Sequence, residues 1–235
     1  MRLPLSLSFV AAVLSVVSAI CPDPVLKSQS PIDIPQLYST PNTGKVDVAF
    51  VNPADGILKN EGETLKVFWN GGKDNNFALN AKKYSPLQFH FHAPSEHRVR
   101  GFQYPFEMHI VHQAEDKGLA VLGVLFEISN EDNPFLDEVW SSIANLGDHG
   151  SNVTVAGISG VPLNISADQS SFYRYSGSLT TPPYTEGVEW TVVSQVQKMS
   201  KAQLDTYRAK IHEDSARETQ PLNGRIVTLY APSNP

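Results

Sequence analysis

Two short segments with alternating side chains limit how this chain can fold. The sequence reads Gln-Phe-His-Phe-His at 88–92 and Glu-Met-His at 107–109. Alternate side chains of a β-strand project to one face, so His90 and His92 lie together and a neighbouring strand can add His109. The opposite face of the first segment then takes three apolar residues, Leu87, Phe89 and Phe91. This pattern predicts two paired strands that gather three imidazoles on one face of a sheet.

Three imidazoles gathered in this way predict an open zinc site. Structural zinc sites use four protein ligands and usually several cysteines, whereas three histidines leave one tetrahedral position for water. The chain contains a single cysteine. In known three-histidine zinc enzymes the metal lowers the pKa of its bound water to about 7, so hydroxide is available at neutral pH. We therefore predict a zinc hydroxide enzyme with His90, His92 and His109 as metal ligands.

The residues that precede the proposed ligands separate this interpretation from a simpler one. A lone histidine, or a His-x-His pair, is equally well explained by a β-rich core, because alternation puts any such pair on one face. Gln88 and Glu107 each lie two residues before a proposed ligand, on the same strand face. A ligating imidazole usually donates its second N–H to an amide or carboxylate oxygen, which fixes its tautomer. Glu107 interrupts an otherwise apolar strand, which favours the metal site.

Four separated motifs resemble those of the α-class carbonic anhydrases in order and spacing. They are QSPIDI at 29–34, QFHFH at 88–92 with SEH at 95–97, EMHIVH at 107–112, and SLTTPP at 178–183. The resemblance extends from about Gln29 to the end of the chain. It implies an α+β, mainly β, single domain on a large twisted, mostly antiparallel central sheet with short peripheral helices. It also implies zinc as cofactor and reversible hydration of carbon dioxide to bicarbonate and a proton.

The resemblance assigns roles to further residues. Glu96 is implied to accept the hydroxyl hydrogen of Thr180, which leaves the Thr180 oxygen to accept the proton of the hydroxide and orient it. Without the histidines, Thr180 would be an ordinary turn residue and Glu96 a solvated charge. An apolar wall beside the metal is implied to hold carbon dioxide. The substrate-binding residues implied by the resemblance are Val111, Val121, Leu179, Thr181, Val188 and Trp190.

Glu63 occupies the position at which fast members of the family carry a histidine that moves protons to solvent. The reference pKa of a glutamate is about 4.3, far from that of a donor near 7, and efficient proton transfer requires similar values. We therefore expect Glu63 to support slower, buffer-dependent turnover. An equally good interpretation is that Glu63 is a charged turn residue without a role.

The N-terminal residues have the pattern of a secretory signal peptide. A short apolar run, 3–17, follows Arg2 and ends in small residues, which predicts cleavage near Ala19 and a catalytic domain over 20–235. The run is too short to span a bilayer well, and no later segment is apolar enough. Two sequons, at Asn152 and Asn164, fit a secreted glycoprotein.

Charge and cysteine content limit the partners. A formal net charge of −6 without basic clusters argues against nucleic acid. Secreted α-class enzymes often pair a cysteine before the QSP motif with one after Thr-Thr-Pro-Pro, where this chain has Tyr184. Cys21 is therefore expected to be a free thiol or to form an intermolecular disulfide. The chain between Cys21 and Gln29 also lacks the aromatic-rich segment usual in the family.

Short apolar stretches separated by 17 prolines and 15 glycines indicate strands rather than a helical protein. The expected strands are Val46–Val51, Thr64–Trp69, Pro86–His92, Pro105–His112, Leu119–Ile128, Val188–Gln197 and Ile226–Tyr230. Leu119–Ile128 is nearly continuously apolar, which predicts a central strand covered on both faces. Asn133 is expected to cap one helix that stops at Gly147. A capping box of Ser200 and Gln203 is expected to open a second helix through Ile211.

Two other functions are compatible with the sequence. The first is a catalytically impaired relative that serves as a binding or structural module. Such a relative would be expected to lose a ligand histidine, and all three are present, which favours the enzyme. The second is a zinc hydrolase acting on activated esters. A narrow apolar wall disfavours large substrates, so ester hydrolysis would be a side reaction.

Overall fold

The structure is a computed structural model that describes residues 26–232 apart from 44, 70 and 72–74. It consists mainly of strands, with two α-helices, α1 (Pro134–Trp140) and α2 (Lys201–Arg208), in the described part. The strands are β1 (Asp33–Ile34), β2 (Ser39–Pro41), β3 (Val46–Ala49), β4 (Ala54–Asn60), β5 (Leu65–Trp69), β6 (Asn76–Leu79), β7 (Lys82–His92), β8 (Arg98–Val99), β9 (Phe102–Gln103), β10 (Phe106–Gln113), β11 (Leu119–Ser129), β12 (Asn152–Ile158), β13 (Phe172–Ser178), β14 (Glu186–Val193), β15 (Gln197–Ser200) and β16 (Thr228–Ala231).

One large sheet contains thirteen of the described strands and runs in the order β12-β4-β5-β7-β10-β11-β14-β13-β16-β2. β15 also pairs with β11, and β6 joins β3 to β7. Most neighbours are antiparallel, and the parallel pairs within this sheet are β11 with β14, β11 with β15, and β16 with β2. A small sheet of β1, β8 and β9 lies apart. The predicted mainly-β architecture with a mostly antiparallel sheet is confirmed.

Apolar layers cover both faces of the central strands. Ile110 belongs to the larger buried cluster, whereas the next residue, Val111, belongs to a smaller cluster on the opposite face. From Ala120 to Phe126 every residue of β11 is buried, so the expectation of a central strand covered on both faces is confirmed. The metal-site face of β7 and β10 therefore lies against the smaller cluster, deep inside the molecule.

Both expected helices are present, and both are shorter than predicted. The Asn133 side chain accepts hydrogen bonds from the first turn of α1, but α1 ends at Trp140, and a 3₁₀ turn at Ile143–Asn145 replaces the continuation to Gly147. α2 has the predicted capping box and ends at Arg208 rather than Ile211. The Oε1 of Gln203 also accepts from the backbone N of Asn133 at 2.8 Å, so the capping residue of α2 joins the two helices.

The seven expected strands are all present with shifted ends, except that the stretch Val188–Gln197 is divided. Its two parts, β14 and β15, pair with successive sections of β11. The sequence missed the strands β1, β2, β4, β6, β8, β9, β12 and β13. β12 and β13 combine exposed polar positions with glycine, so their periodicity is weak and only pairing within the sheet makes them strands.

Some expectations from the sequence concern residues that the structure does not describe, and others are not tested by it. The predicted signal peptide, 1–19, and Cys21 lie outside the described residues. Both sequon asparagines, Asn152 and Asn164, are exposed. None of the helices in residues 26–232, as far as these are described, is long and apolar enough to cross a membrane.

Candidate metal centre

The three predicted ligands come together on the two paired strands β7 and β10. The Cα of His109 pairs with that of His90. One ring nitrogen from each of His90, His92 and His109 lies within 4.8 Å of the others. The ring centroids are 5.1 Å apart for His90 and His92, 5.3 Å for His90 and His109, and 4.7 Å for His92 and His109. Strand alternation and register alone therefore produce the cluster that the sequence predicted.

Two side chains on the same strands hold the outer nitrogens of the cluster. The amide Oε1 of Gln88 lies 2.9 Å from Nδ1 of His90, and the carboxylate Oε1 of Glu107 lies 2.9 Å from Nε2 of His109. Each oxygen can only accept, so each fixes the tautomer with the proton on the bonded nitrogen. The nitrogens left with free lone pairs are Nε2 of His90 and Nδ1 of His109.

A backbone carbonyl from a distant loop holds the third ligand. Nδ1 of His92 lies 3.3 Å from the carbonyl oxygen of Ser215. Its Nε2 is buried without a hydrogen-bond partner. A buried ring nitrogen without a partner is costly unless a ligand satisfies it. Together with the lone pairs on Nε2 of His90 and Nδ1 of His109, this nitrogen completes a set of three imidazole donors, which zinc prefers and which leaves room for one further ligand. The residues present therefore fit the predicted ion.

The electrostatics of the cluster keep two ligands neutral and one carboxylate charged. Burial is the main cause that lowers the pKa of His90 and of His92, and neighbouring positive charges act in the same direction on His90. Burial opposes the ionised form of Glu107, but the imidazoles of His97 and His109 outweigh it and hold the pKa of Glu107 well below its usual range. Neutral imidazoles and an ionised carboxylate behind them suit a cation.

Glu107 is the centre of a buried hydrogen-bond network. Its Oε2 accepts from the backbone N of Glu96 and of His97, each at 2.8 Å, and its Oε1 lies 2.7 Å from Nδ1 of His97. Nε2 of His97 lies 2.7 Å from the hydroxyl of Tyr175. His97, Glu107 and His109 also lie close enough together to hold a metal. The atoms that face one another already form hydrogen bonds, so His97 and Glu107 serve to position the His109 ring.

Glu96 is buried at 1 % exposure rather than solvated. Its Oε1 accepts from the backbone N of Arg217 at 2.9 Å. Its Oε2 has no hydrogen-bond partner and lies 3.5 Å from Nε2 of His92 and 3.7 Å from Nδ1 of His109. The hydrogen bond to Thr180 that the resemblance implies is therefore not formed here. Because Oε2 of Glu96 has no hydrogen-bond partner, its negative charge lies directly beside the nitrogens that face the proposed metal position.

A cavity of about 290 Å³ opens from the three imidazoles. Its walls include the following predicted residues: Glu63, Gln88, Val111, Val121, Leu179, Thr180, Thr181 and Trp190. Val188 does not line this cavity and is buried in the smaller apolar cluster together with Val121 and Trp190. The contact of Val188 with substrate stays a prediction.

Leu87 does not follow the predicted alternation of side chains along β7. It is 44 % exposed and lines the cavity instead of entering the layer opposite the histidines. The Cα of Val111 pairs with that of Gln88, but the next residue, His112, pairs with Pro86. One residue of β7 is thus left without a partner, and such a β-bulge changes the face to which the extra residue points. Alternation holds from Gln88 onward, so His90 and His92 still share the predicted strand face.

Glu63 lies at the mouth of the cavity and is exposed. It also lines a second, wider cavity of about 570 Å³, which shares Thr180, Thr181 and Ser215 with the first. His212 lines this second cavity and is exposed. The site is thus connected to solvent along the side on which Glu63 lies.

The sequence did not reveal the loop residues that complete the site. Ser215 and Arg217 contribute backbone groups to His92 and Glu96 across 123 and 121 residues of chain. Backbone groups carry no residue-specific signal, so only the folded chain identifies them. Tyr175 is also missed, although its place in β13 among alternating aromatic residues was a signal for a strand.

Comparisons with known proteins agree with this geometry. A family model for the eukaryotic-type carbonic anhydrases matches residues 19–231. Alpha carbonic anhydrase 3 of Arabidopsis thaliana is 38% identical over 217 residues, which is 89% of this chain and 76% of that protein.

Two solved structures share the fold over most of their length. The α-carbonic anhydrase of Thermovibrio ammonificans in complex with the inhibitor sulfanilamide has a TM-score of 0.75 and 38% identity, covering 86% of this chain and 87% of that chain. Dioscorin complexed with ascorbate has a TM-score of 0.78 and 30% identity, covering 87% and 86%. Residues 19–231, which the family model matches, include the whole described sheet and all three clustered histidines. The chain therefore belongs to the α-carbonic anhydrases, the eukaryotic-type carbonic anhydrase family.

Proposed function

We propose that this chain hydrates carbon dioxide reversibly to bicarbonate and a proton, with zinc held by His90, His92 and His109. The observation that carries the proposal is the set of three mutually close ring nitrogens whose partners leave them free to bind a metal. When bound, zinc lowers the pKa of a water molecule and so supplies hydroxide near neutral pH. The remaining chemistry belongs to the residues of the chain.

Gln88, Glu107 and the Ser215 carbonyl position the ligands. Each accepts a hydrogen bond from the outer ring N–H, so each imidazole directs the lone pair of its other nitrogen toward the proposed metal position. The charge on Glu107 also strengthens the electron donation of His109. Its network through His97 and Tyr175 fixes that charge rigidly. These residues keep the geometry of the site constant between turnovers.

Thr180 and Glu96 orient the nucleophile in this proposal. Thr180 lines the cavity and is 8 % exposed, and its hydroxyl oxygen can accept a hydrogen bond. The role requires an acceptor for its own hydrogen, and Oε2 of Glu96 is a buried acceptor that has no partner. The hydrogen bond from Thr180 to this oxygen is not formed in the structure. Its formation would orient the Thr180 hydroxyl so that it favours bound species that carry a proton.

The apolar wall receives carbon dioxide, which is small and has no hydrogen-bond donor. Val111, Val121 and Trp190 are each at most 6 % exposed and line the cavity beside the metal site. They exclude water from the side on which the substrate waits. Leu179 and Thr181 extend the wall toward the mouth. Glu63, at that mouth, passes the released proton to buffer more slowly than an imidazole would.

Export is part of the proposal. A signal peptide removed near Ala19 would leave 20–235 as the mature domain, with Asn152 and Asn164 as exposed acceptors for glycans and Cys21 free for an intermolecular disulfide. The N-terminal sequence pattern and the exposure of both asparagines support this. Mass spectrometry of protein collected from the medium of a eukaryotic host would test the cleavage point and the glycans together.

One experiment separates the enzyme from a binding module. The purified chain should contain about one zinc per molecule, and its carbon dioxide hydration should be abolished by an aromatic sulfonamide. A metal-free protein, or one whose rate equals the uncatalysed rate, would contradict the proposal and favour the module.

A substitution in the substrate wall gives the matched test. Val121→Tyr should fill the position of the substrate, so the hydration rate falls while the zinc content stays unchanged. The same variant should also lose ester hydrolysis if that activity is a side reaction in one cavity. Hydration that survives the substitution would place the substrate elsewhere.

A further inference from the structure

One wall of the metal cavity carries a cation that the proposed reaction does not use. Lys66 lies on β5, and its Cα pairs with that of His90 on β7. Both residues line the cavity of about 290 Å³. Leu65, Val67 and Trp69 are buried on the other face of β5. Lys66 and Phe68 therefore share the strand face that carries the metal site.

The charge of Lys66 is only weakly compensated within the described part of the chain. Its Nζ lies 3.9 Å from Oε2 of Glu61 and donates no hydrogen bond there. Glu61 is held instead by Lys59, whose Nζ lies 2.8 Å from Oε1. The Lys66 side chain is 27% exposed. An ammonium group is therefore available to an anion that enters the cavity.

Apolar side chains border this cation at the rim. Leu87 is 44 % exposed because the β-bulge turns it toward the cavity, and Phe68 is 42 % exposed on the neighbouring strand. The Cα of Phe68 pairs with that of Gln88, the residue after Leu87. A few polar groups placed in a mostly apolar cleft are typical of small-molecule sites. The best-matched ligand combines one negative charge with a compact apolar body.

We propose that the Lys66 wall of this cavity binds small carboxylates with an apolar body, with the carboxylate on the Lys66 ammonium and the body against Leu87 and Phe68. The carboxylate replaces the weak pairing of Lys66 with Glu61. The ligand occupies the rim of the cavity where β5 and β7 pair. Its binding does not depend on a metal, so this inference stands or falls separately from the proposed function.

The test compares a carboxylate with its neutral analogue. Binding of 3-phenylpropanoate and of 3-phenylpropanamide is measured by calorimetry at pH 7.5 and low ionic strength, on the protein as purified and after removal of metal by a chelator. We expect the carboxylate to bind about five- to tenfold more tightly, as for a charge-assisted contact at a partly exposed site. Raising the salt concentration should reduce this preference.

Four variants locate the contact. Lys66→Gln should abolish the preference for the carboxylate, and Lys66→Arg should retain most of it. Glu61→Gln should increase the preference, because it removes the carboxylate that competes for Lys66. Lys83→Gln is the matched control, since Lys83 is an exposed lysine of β7 that lines a different cavity. It should leave the preference unchanged.

Several results would overturn the proposal. These are equal binding of the two ligands to the original protein, a preference that survives Lys66→Gln, and an equal loss in Lys83→Gln. A preference that disappears on metal removal from protein with an unchanged circular dichroism spectrum would assign the carboxylate to the metal. If the chain had no zinc or hydration activity, it would still bind the carboxylate more tightly than the amide. Failure of the proposed function can therefore be told apart from failure of this inference.

Discussion

Two histidines three residues apart on β10 have opposite environments. His109 is 1 % exposed, and its Nε2 lies 2.9 Å from the Glu107 carboxylate. His112 is fully buried on the other face of the strand, and both of its ring nitrogens lack a hydrogen-bond partner. Its ring stacks on Phe50 at 6.0 Å and lies 5.1 Å from Phe77. The same type of side chain therefore belongs to the proposed metal site on one face of the strand and to the apolar core on the other.

The pKa shifts of the two rings follow from these surroundings. Burial opposes the charged form of His109, but the Glu107 carboxylate outweighs burial and raises its pKa. Burial without a compensating charge lowers the pKa of His112 to about 3. A carboxylate partner thus distinguishes His109, a proposed ligand, from His112, a core histidine of the same strand. The predictions below alter one side of this comparison at a time.

The largest effect is expected from His109→Ala. Removing one of three ligands should reduce both the zinc content and the hydration rate together, the rate by at least about a thousandfold. Elemental analysis and stopped-flow hydration assays on the folded variant measure both. His112→Leu serves as control and should keep its zinc. Loss of zinc in the control instead would show that the two faces are not independent.

Glu107→Gln tests whether the carboxylate makes the difference. The amide keeps one acceptor oxygen, but its NH2 group cannot accept from the backbone N–H groups of Glu96 and His97. We expect zinc affinity to fall by about ten- to a hundredfold, together with a lower melting temperature. Competition with a chelator of known affinity measures the first quantity. Unchanged affinity would mean that the charge on Glu107 has no effect on the ligand.

His112 should make the stability of the fold depend on pH. Its pKa is about 3 in the folded chain and about 6.5 when unfolded. Below pH 6.5 His112 binds a proton in the unfolded chain but not in the folded chain. The free energy of unfolding therefore falls as the pH drops toward 3. Between pH 7 and pH 5 this group should contribute a loss of about 2 kcal/mol.

The variant His112→Leu removes this contribution. Urea unfolding at pH 7 and pH 5 should show that the variant gains about 2 kcal/mol relative to the original chain over that interval. Between pH 7 and pH 8 the difference between the two proteins should stay constant. Parallel pH dependence of both proteins down to pH 5 would refute the assignment of His112 as a neutral core residue.

The smallest effect is expected at the exposed rim. Glu63→His places an imidazole in contact with solvent at the mouth of the cavity, an environment unlike those of His109 and His112. Since its pKa lies closer to that of the proton donor, turnover in weak buffer should rise by about fivefold. In concentrated imidazole buffer the gain should disappear. A variant with no gain in weak buffer would favour the interpretation of Glu63 as a turn residue.

The strands that carry the site were predictable because their periodicity is strong. Alternation in β7 and β10 placed His90, His92 and His109 on one face, and the register of the two strands then brought the rings together. β13 was missed because its polar and glycine positions disguise the pattern. Leu87 was assigned to the wrong face, since a bulge depends on how two strands pair and leaves no mark in one of them.

The sequence by itself determined that His90, His92 and His109 share one face of the paired strands, because alternation is a property of the extended backbone. Only the tertiary structure decided what holds the His92 ring and the Glu96 carboxylate, since the Ser215 carbonyl and the Arg217 N–H arrive from a loop more than 120 residues away. It also decided that Lys66 and Leu87 border the cavity. Contacts of this kind depend on strand order and packing, which local periodicity does not encode.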